Sequence, residues 1–336
     1  MKKIAVLLVL FIIIFPAWCQ EIQNAHEHDT LTLEEAEILL KQELVRVPFL
    51  KEHRFVNSRL VIEPFIKTSF RMNVGIGNSN EIDIPLFNIG DTTLSISGSL
   101  LYANLIFTYN QRIKEWVSFY ITTGLSLRVG ADAGSLLLDG LNTLSETDIG
   151  WKLRLYHSKH DYLALRVGIS NFVASYTNIY TLIQSITTSS SGLSLTENIP
   201  ALQGDFGLHY ALGIGSLLGL QLEVNYNYGD SFKKDRIINQ FSFGGAFDLN
   251  FYPSTKVPVG FSAGYGYTTL PEITNVEDTQ SNLYNLKLSY TGSPDLVIGV
   301  EITGNQNPLS FQILEGNESI EAFVINYSLG MVYYFN

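Results

Sequence analysis

From residue 60 onward, apolar and polar residues alternate with a period of two in one segment after another. The last segment, Ala322 to Phe335, places Phe323, Ile325, Tyr327, Leu329, Met331, Tyr333 and Phe335 on one face. Val324, Asn326, Ser328, Gly330, Val332 and Tyr334 fall on the other. A period of two marks a strand, because successive side chains leave opposite sides of the pleat. A strand that crosses a membrane at a tilt needs roughly 9–11 residues, and this one is long enough. Leu218, Leu220, Leu222, Val224, Tyr226 and Tyr228 likewise alternate with Gly219, Gln221, Glu223, Asn225 and Asn227. Phe241, Phe243, Phe247, Leu249 and Phe251 oppose Ser242, Gly244, Ala246, Asp248 and Asn250. The pattern predicts strands over 60–72, 95–109, 115–130, 147–158, 161–173, 203–214, 217–228, 239–252, 257–268, 283–291, 295–304 and 321–335.

The connections carry a second rhythm. Those after even-numbered strands are short: 110–114, 158–161, 215–216, 253–256 and 292–295. Those after odd-numbered strands are mostly long: 73–94, 131–146, 174–202, 269–282 and 305–320, with 229–238 intermediate. Short turns at one end and long loops at the other are the signature of a membrane barrel. The predicted fold is therefore all-β: a transmembrane antiparallel up-and-down β-barrel of about 12 strands, within roughly 10–14. Its apolar face would meet lipid and its small polar face would line the lumen.

The first 58 residues read differently. Met1-Lys2-Lys3, the apolar run Ile4 to Phe15, and Pro16-Ala17-Trp18-Cys19 describe a secretory signal peptide over 1–19, cut after Cys19. A lipidated Cys19 is the rival reading, opposed by the bulky Trp18. Residues 20–58 form an N-terminal segment with a helix over 33–46. Thr32 and Glu35 make its capping box, Leu33, Ala36, Leu39, Leu40, Leu44 and Val47 its apolar stripe, and Pro48 its stop. This helix would be a periplasmic leader or a plug in the lumen. Residues 59–336 would form the barrel.

Composition narrows the chemistry. The only cysteine is Cys19, so a chain cut after it has no disulfide or thiolate chemistry. Losing Lys2 and Lys3 takes the net charge from −11 to −13, which speaks against nucleic acid as a partner. No later run is long and apolar enough for a spanning helix, while Tyr (18), Phe (20) and Gly (27) suit a barrel. In lipid, only helices and closed barrels satisfy every backbone polar group.

The stretch Ser328-Leu329-Gly330-Met331-Val332-Tyr333-Tyr334-Phe335 resembles the C-terminal β-signal of Gram-negative outer-membrane proteins, with Ser328, Gly330, Tyr333 and Phe335 at the pattern positions. Asn336 follows the aromatic that usually ends such chains. The resemblance implies insertion by the barrel-assembly machinery into the bacterial outer membrane, with its lipid as surroundings. It names a class of protein and no particular activity.

Alternation places Glu63, Lys67 and Arg71 inside from the first strand, then Arg128, Lys152, Arg154 and Arg166. Glu223, Asp248, Lys287 and Glu301 follow from the later strands. A basic early wall facing an acidic late wall would set a transverse field that selects solutes. Lys67, Arg71, Arg128, Lys152, Arg154, Arg166, Glu223, Asp248 and Glu301 are thus the candidate selectivity residues. The opposing reading is a closed interior filled by salt bridges, since twelve strands lie between the filled eight-stranded barrel and the open porin. Loop acids Glu81, Asp83, Asp91, Asp132, Asp139, Glu146, Glu272, Glu277 and Asp278 would solvate the loops or draw cations. His26 and His28 sit in the polar leader. His157, His160 and His209 lack the neighbours of a catalytic triad, so no catalytic, metal or cofactor site is assigned. The expected function is an outer-membrane channel or transporter for a small polar solute. A non-transporting adhesin, assembly factor or scaffold is the alternative, and a lipid-modifying enzyme a further class.

Overall fold

A computed structural model describes residues 47–89, 92–99, 101–129, 140–177, 196–230, 237–270, 279–313 and 316–335. The expected signal peptide, helix 33–46, His26 and His28 lie outside the described residues. So do Asp91, Asp132, Asp139, Glu272, Glu277 and Asp278.

Two short strands, β1 (Phe49–Leu50) and β2 (His53–Arg54), pair as a hairpin ahead of the barrel strands. The following strands are β3 (Ser69–Ser79), β4 (Ile82–Ile89), β5 (Thr92–Gly98), β6 (Leu101–Lys114), β7 (Val117–Val129) and β8 (Gly140–His157). After these come β9 (Asp161–Thr177), β10 (Thr196–Ile214), β11 (Leu218–Asp230) and β12 (Ile237–Asn250), then the one-turn helix α1 (Tyr252–Thr255). The chain ends with β13 (Val259–Leu270), β14 (Thr279–Tyr290), β15 (Leu296–Ile313) and β16 (Gly316–Tyr334). Strands β3 and β6–β16 close into a twelve-stranded antiparallel barrel, each paired with its neighbours in sequence. The hairpin β4–β5 forms a separate two-stranded sheet between β3 and β6.

The faces follow the alternation. On β11, Gly219, Gln221, Glu223 and Asn225 are buried, whereas Val224, Tyr226 and Tyr228 are exposed. On β12, Phe241, Phe243 and Phe247 are exposed while Asp248 and Asn250 are wholly buried. Ile169 and Tyr327 are each 57% exposed on the outer wall, and Arg166 and Ser328 are buried on the inner one. An apolar outside around a polar inside inverts the soluble pattern and belongs to a barrel surrounded by lipid. Exposed aromatics sit near both ends of the strands: Tyr109, Tyr156, Tyr290 and Phe335 by the short turns, Tyr228, Phe241 and Phe323 by the loops. Such aromatics form the two interfacial girdles of a membrane barrel.

Several boundaries depart from the sequence reading. Strand β10 starts at Thr196 and not at 203, and β6 spans Leu101–Lys114 and not 95–109. The expected loop 73–94 holds most of β3 and of the hairpin β4–β5, with Asp83 on β4. The first barrel strand begins at Ser69 and not near residue 60, so β16 closes on Ser69–Ser79, with Met331 opposite Met72. Residues 60–68 lie inside the barrel. Pro64 in their middle cannot donate to a ladder, and burial takes in residues of both parities, Leu60 and Ile66 as well as Val61, Glu63 and Phe65. Glu146 is on β8, not in a loop, because β8 starts seven residues earlier than predicted. The expected loop 305–320 is mostly strand, with Ile313 opposite Gly316. At about 3.3 Å per residue and a tilt near 40°, the 19 residues of β16 reach about 45–50 Å along the barrel axis. The hydrocarbon layer is about 30 Å thick, so this end of the barrel stands beyond it.

Candidate functional site: a lumen closed by an inward strap

Residues 47–68 form a strap that enters and leaves the barrel at its short-turn end. At one side Val47 N–H donates to the Pro294 carbonyl (2.9 Å) and Lys51 N–H to the Lys159 carbonyl (2.8 Å), both in short turns. At the other, the Thr68 carbonyl accepts from Phe335 N–H (2.9 Å) just before β3 begins. The β1–β2 turn places Lys51 (φ 45°) and Glu52 (φ 69°) in the left-handed region, the backbone of a type I′ two-residue hairpin. Between these ends the strap climbs to the middle of the wall. There a Cβ added to Gly264 or Gly266 would press on the Leu60 side chain.

The lower strap is apolar. Leu50, Phe55, Phe65 and Ile66 cluster with Tyr162, Ala164 and Ala211 of the wall. Phe55 lies 4.8 Å from His53 edge-to-face and 5.1 Å from Phe65, and Phe65 lies 5.0 Å from Tyr162. Inward glycines make the room. A Cβ on Gly213 would strike Leu50, one on Gly219 would strike the His53 ring, and one on Gly260 would strike Val56. These contacts shut the lumen at the short-turn end. Burial pushes the His53 imidazole down to about 4. Hydrogen bonding from its backbone neighbours, chiefly the Ser216 carbonyl at 3.3 Å, opposes this only in part.

The upper strap packs Leu60 and Val61 on Ala246 and Leu283 and is otherwise tied to the wall by charged groups. The Lys152 ammonium donates to the Glu63 carbonyl (3.0 Å), Lys287 to the Asn57 carbonyl, and Arg71 to the Ser58 carbonyl (3.4 Å). Arg59 N–H donates to Glu301 (2.7 Å) and Ile62 N–H to Glu223 (2.7 Å). The Tyr334 hydroxyl receives Asn57 Nδ2 and donates to Glu63 (2.8 Å). Burial lowers the Arg59 guanidinium from its ordinary value, against the pull of Glu301 and Glu146. Lys67 is lowered by burial and by the nearby Arg112.

Arg71, Lys152, Arg166, Glu223, Asp248 and Glu301 all face the lumen, as do the remaining candidates Lys67, Arg128 and Arg154 at its two ends. The basic and acidic residues bond neighbours on their own wall or the strap. Arg166 is bound by Asp148 and Asp205 (3.0 Å) of the adjoining strands and covers the Tyr120 ring at 4.5 Å. Arg154 lies 4.0 Å from Glu115 at the turn rim. Lys67 belongs to the strap and not to the wall. Glu223 and Glu301 accept strap amides, and Asp248 accepts from Gln221 (2.6 Å). His209, buried, lies 3.4 Å from the same Glu223 oxygen. The opposed walls do not meet because the strap stands between them. Asp148, Asp205, Tyr120 and Tyr334 were missed from sequence. Asp148 shares the parity of Lys152, and Asp205 that of His209, so the alternation itself contained them.

A cavity of about 230 Å³ remains between the strap and the wall of β3 and β6–β9, with β14–β16 completing it. Asn57, Arg59 and Glu63 of the strap face Asn73, Asn110, Glu146, Asp148 and Glu301 across it. Several buried acceptors around it have no protein partner: Asn57 Oδ1, Asn73 Oδ1, Asn110 Oδ1 and Glu301 Oε2. The site can therefore hold a small, hydrogen-bonding guest or water.

No protein-family model matches the chain, and no curated protein sequence matches it either. Solved structures of similar shape are outer-membrane barrels. The translocator domain of the autotransporter NalP from Neisseria meningitidis shares 9% identity at a TM-score of 0.47, covering 82% of this chain and 91% of that one. An outer-membrane channel from Pseudomonas putida F1 shares 10% at 0.47, covering 84% and 100%. A Pseudomonas aeruginosa FadL homologue shares 11% at 0.41, covering 80% and 91%. The likeness is one of barrel architecture, and nothing about the lumen's chemistry is taken from it.

Proposed function

We propose that this protein is a gated channel of the bacterial outer membrane, whose strap 47–68 stops the lumen and whose displacement admits a small polar solute. One observation carries the reading: besides the apolar contacts of Leu60 and Val61 with Ala246 and Leu283, the upper strap is held by hydrogen bonds between its main chain and charged wall residues. Water or a polar solute can replace such bonds at small net cost, because a typical exchange is worth only about 0.5–1.5 kcal/mol, or about 1.5–3 when one partner is charged. Wall charges that bind the strap when it is docked would line an aqueous path once it leaves. The acidic and basic residues then act as the selectivity filter. Insertion would follow from the β-signal residues Ser328, Gly330, Tyr333 and Phe335.

A specific feature favours the second reading, a non-transporting barrel. The Leu50, Phe55, Phe65, Ile66 and Tyr162 cluster is a dry seal of the kind that stays shut. Planar-bilayer conductance separates the two. Leu50→Cys with Gly213→Cys joins strap to wall. A Cβ at Gly213 lies about 2.9 Å from the Leu50 Cβ and closer still to the Leu50 carbonyl oxygen, so bridging requires the β1 backbone to move away from β10 until the Cβ atoms are about 3.8 Å apart. The channel reading expects openings in the native protein, none in the oxidised pair, and their return on reduction. Silence of the native protein and of the reduced pair alike would reject it. With openings established, Arg128→Glu and Arg166→Glu together should shift the reversal potential.

A further inference from the structure

The wall of the lumen reads a peptide backbone. Along residues 54–66 the wall side chains bond the strap chiefly through its main chain. Asn250 Nδ2 donates to the Arg54 carbonyl (2.8 Å), Lys287 to that of Asn57, Arg71 to that of Ser58 and Lys152 to that of Glu63. Glu301 accepts from Arg59 N–H, Glu223 from Ile62 N–H, and the Tyr162 hydroxyl from Ile66 N–H (3.1 Å). By contrast, wall hydrogen bonds to strap side chains over the same stretch centre on Asn57 and Glu63, both through Tyr334. The Arg59 side chain leaves Nη1 without a hydrogen-bond partner.

A buried segment must have its amides and carbonyls satisfied by something, and neutral side chains or water would suffice. Here the partners are full charges that are themselves almost completely buried: Glu301 1%, Lys152 3%, Lys287 4% and Glu223 8% exposed. Burying an ionised group costs heavily unless hydrogen bonds compensate it. The strap main chain supplies part of that compensation for each of them. When the strap leaves, these charges face one another's former partners across a wetted cavity. The guest that satisfies them equally well presents carbonyls to the lysines and arginine and N–H groups to the glutamates at main-chain spacing. That is another peptide following the same path, bent at residues 59–61. A sugar offers hydroxyls without that fixed alternation of donor and acceptor.

We infer that the lumen binds oligopeptides through their backbone along the bent path of the strap, and that residues 54–66 are a built-in occupant of that site. The inference rests on the reading that the strap can leave the lumen, and it names the solute class of the same passage. Its test is fluorescence anisotropy with a labelled synthetic peptide of residues 54–66, added to the full chain in detergent. Two variants loosen the native strap: Phe55→Ala, and Gly219→Ala in case the first misfolds. The expected result is binding to a loosened variant at least 10-fold tighter than to the native protein, and none to the oxidised Leu50→Cys/Gly213→Cys pair. N-methylation of the peptide at Arg59 and Ile62 should weaken binding at least 10-fold. Alanine at Ser58 and Ile62 of the peptide should change it less than 3-fold. Absence of binding to both loosened variants overturns the inference. Equal binding of the N-methylated peptide, or loss of binding by the alanine peptide, overturns it as well. The readout needs no ion flow, so a barrel that binds the peptide but never conducts would reject the channel and leave this inference standing.

Discussion

Acid should release the strap through His53. Its ring is fully buried between Phe55 and Gly219, and burial brings its pKa from 6.5 to about 4. In the released strap, exposed to water, the ring returns to its ordinary value. The docked state therefore binds the proton more weakly than the released one. Docking is at full strength above pH 6.5, weakens as pH falls below it, and has lost the whole contribution below pH 4. The full loss is about 3.4 kcal/mol, at about 1.36 kcal/mol for each pH unit that separates the docked ring from the released one. Between pH 7.0 and 4.5 it amounts to about 2.4 kcal/mol, or about 60-fold in the docking equilibrium. Single-channel recording reads this contribution as the difference between the native protein and His53→Gln, whose opening frequencies should diverge about 60-fold between pH 7.0 and 4.5. His53→Gln keeps a neutral ring-sized polar group there and should flatten the dependence in that window. If His53→Gln retains the native pH profile, or if the native protein opens equally often at both pH values, the reasoning fails.

Other outcomes follow from the same contacts. Tyr334→Phe removes the hydroxyl that joins Asn57 and Glu63 and should raise the opening frequency about 10-fold or more, at about 1–3 kcal/mol for a broken buried hydrogen bond. The thermal unfolding of the barrel, followed by gel mobility, should barely move. Arg166→Ala leaves Asp148 and Asp205 facing each other without their cation and should destabilise the barrel by about 3–5 kcal/mol. Adding Asp148→Asn and Asp205→Asn should recover much of that loss in the same gel assay. Phe335→Ala should lower the yield of folded barrel in membranes without changing the unfolding temperature of what does fold. An altered temperature with normal yield would detach that residue from insertion.

The wall of the barrel was legible in the sequence because lipid on one side and a polar lumen on the other impose a period of two. Leu218 to Tyr228 shows it without ambiguity, and the count of twelve strands follows. The short turns were legible for a related reason, since Gly215, with φ 68°, marks a place only a tight turn requires. The strap was hidden because nothing about it is one-sided. Leu60, Val61, Glu63, Phe65 and Ile66 are all buried, so the segment imitates a strand while pairing with none. The inward charges were identified by parity, but their partners were not. Parity tells which side of the wall a residue faces, and a third body inside the barrel decides what it meets there.

That third body also explains how twelve strands can close tightly. Eight strands are filled by their own side chains, and many more leave water. Twelve enclose space that the wall alone leaves empty, and here the strap occupies the lower part of it with Leu50, Phe55 and Phe65. Because the strap enters and leaves at the same end, it withdraws as a loop and needs no unthreading. Thr68 joins it directly to β3, so its effective concentration at the wall is millimolar or above. An outside peptide with identical contacts would compete poorly against it. The native lumen should therefore open only when something weakens the lower seal first, as a proton on His53 or an alanine at Phe55 would. The apolar seal sets how often the lumen opens, and the charged upper wall sets what is held there once it does.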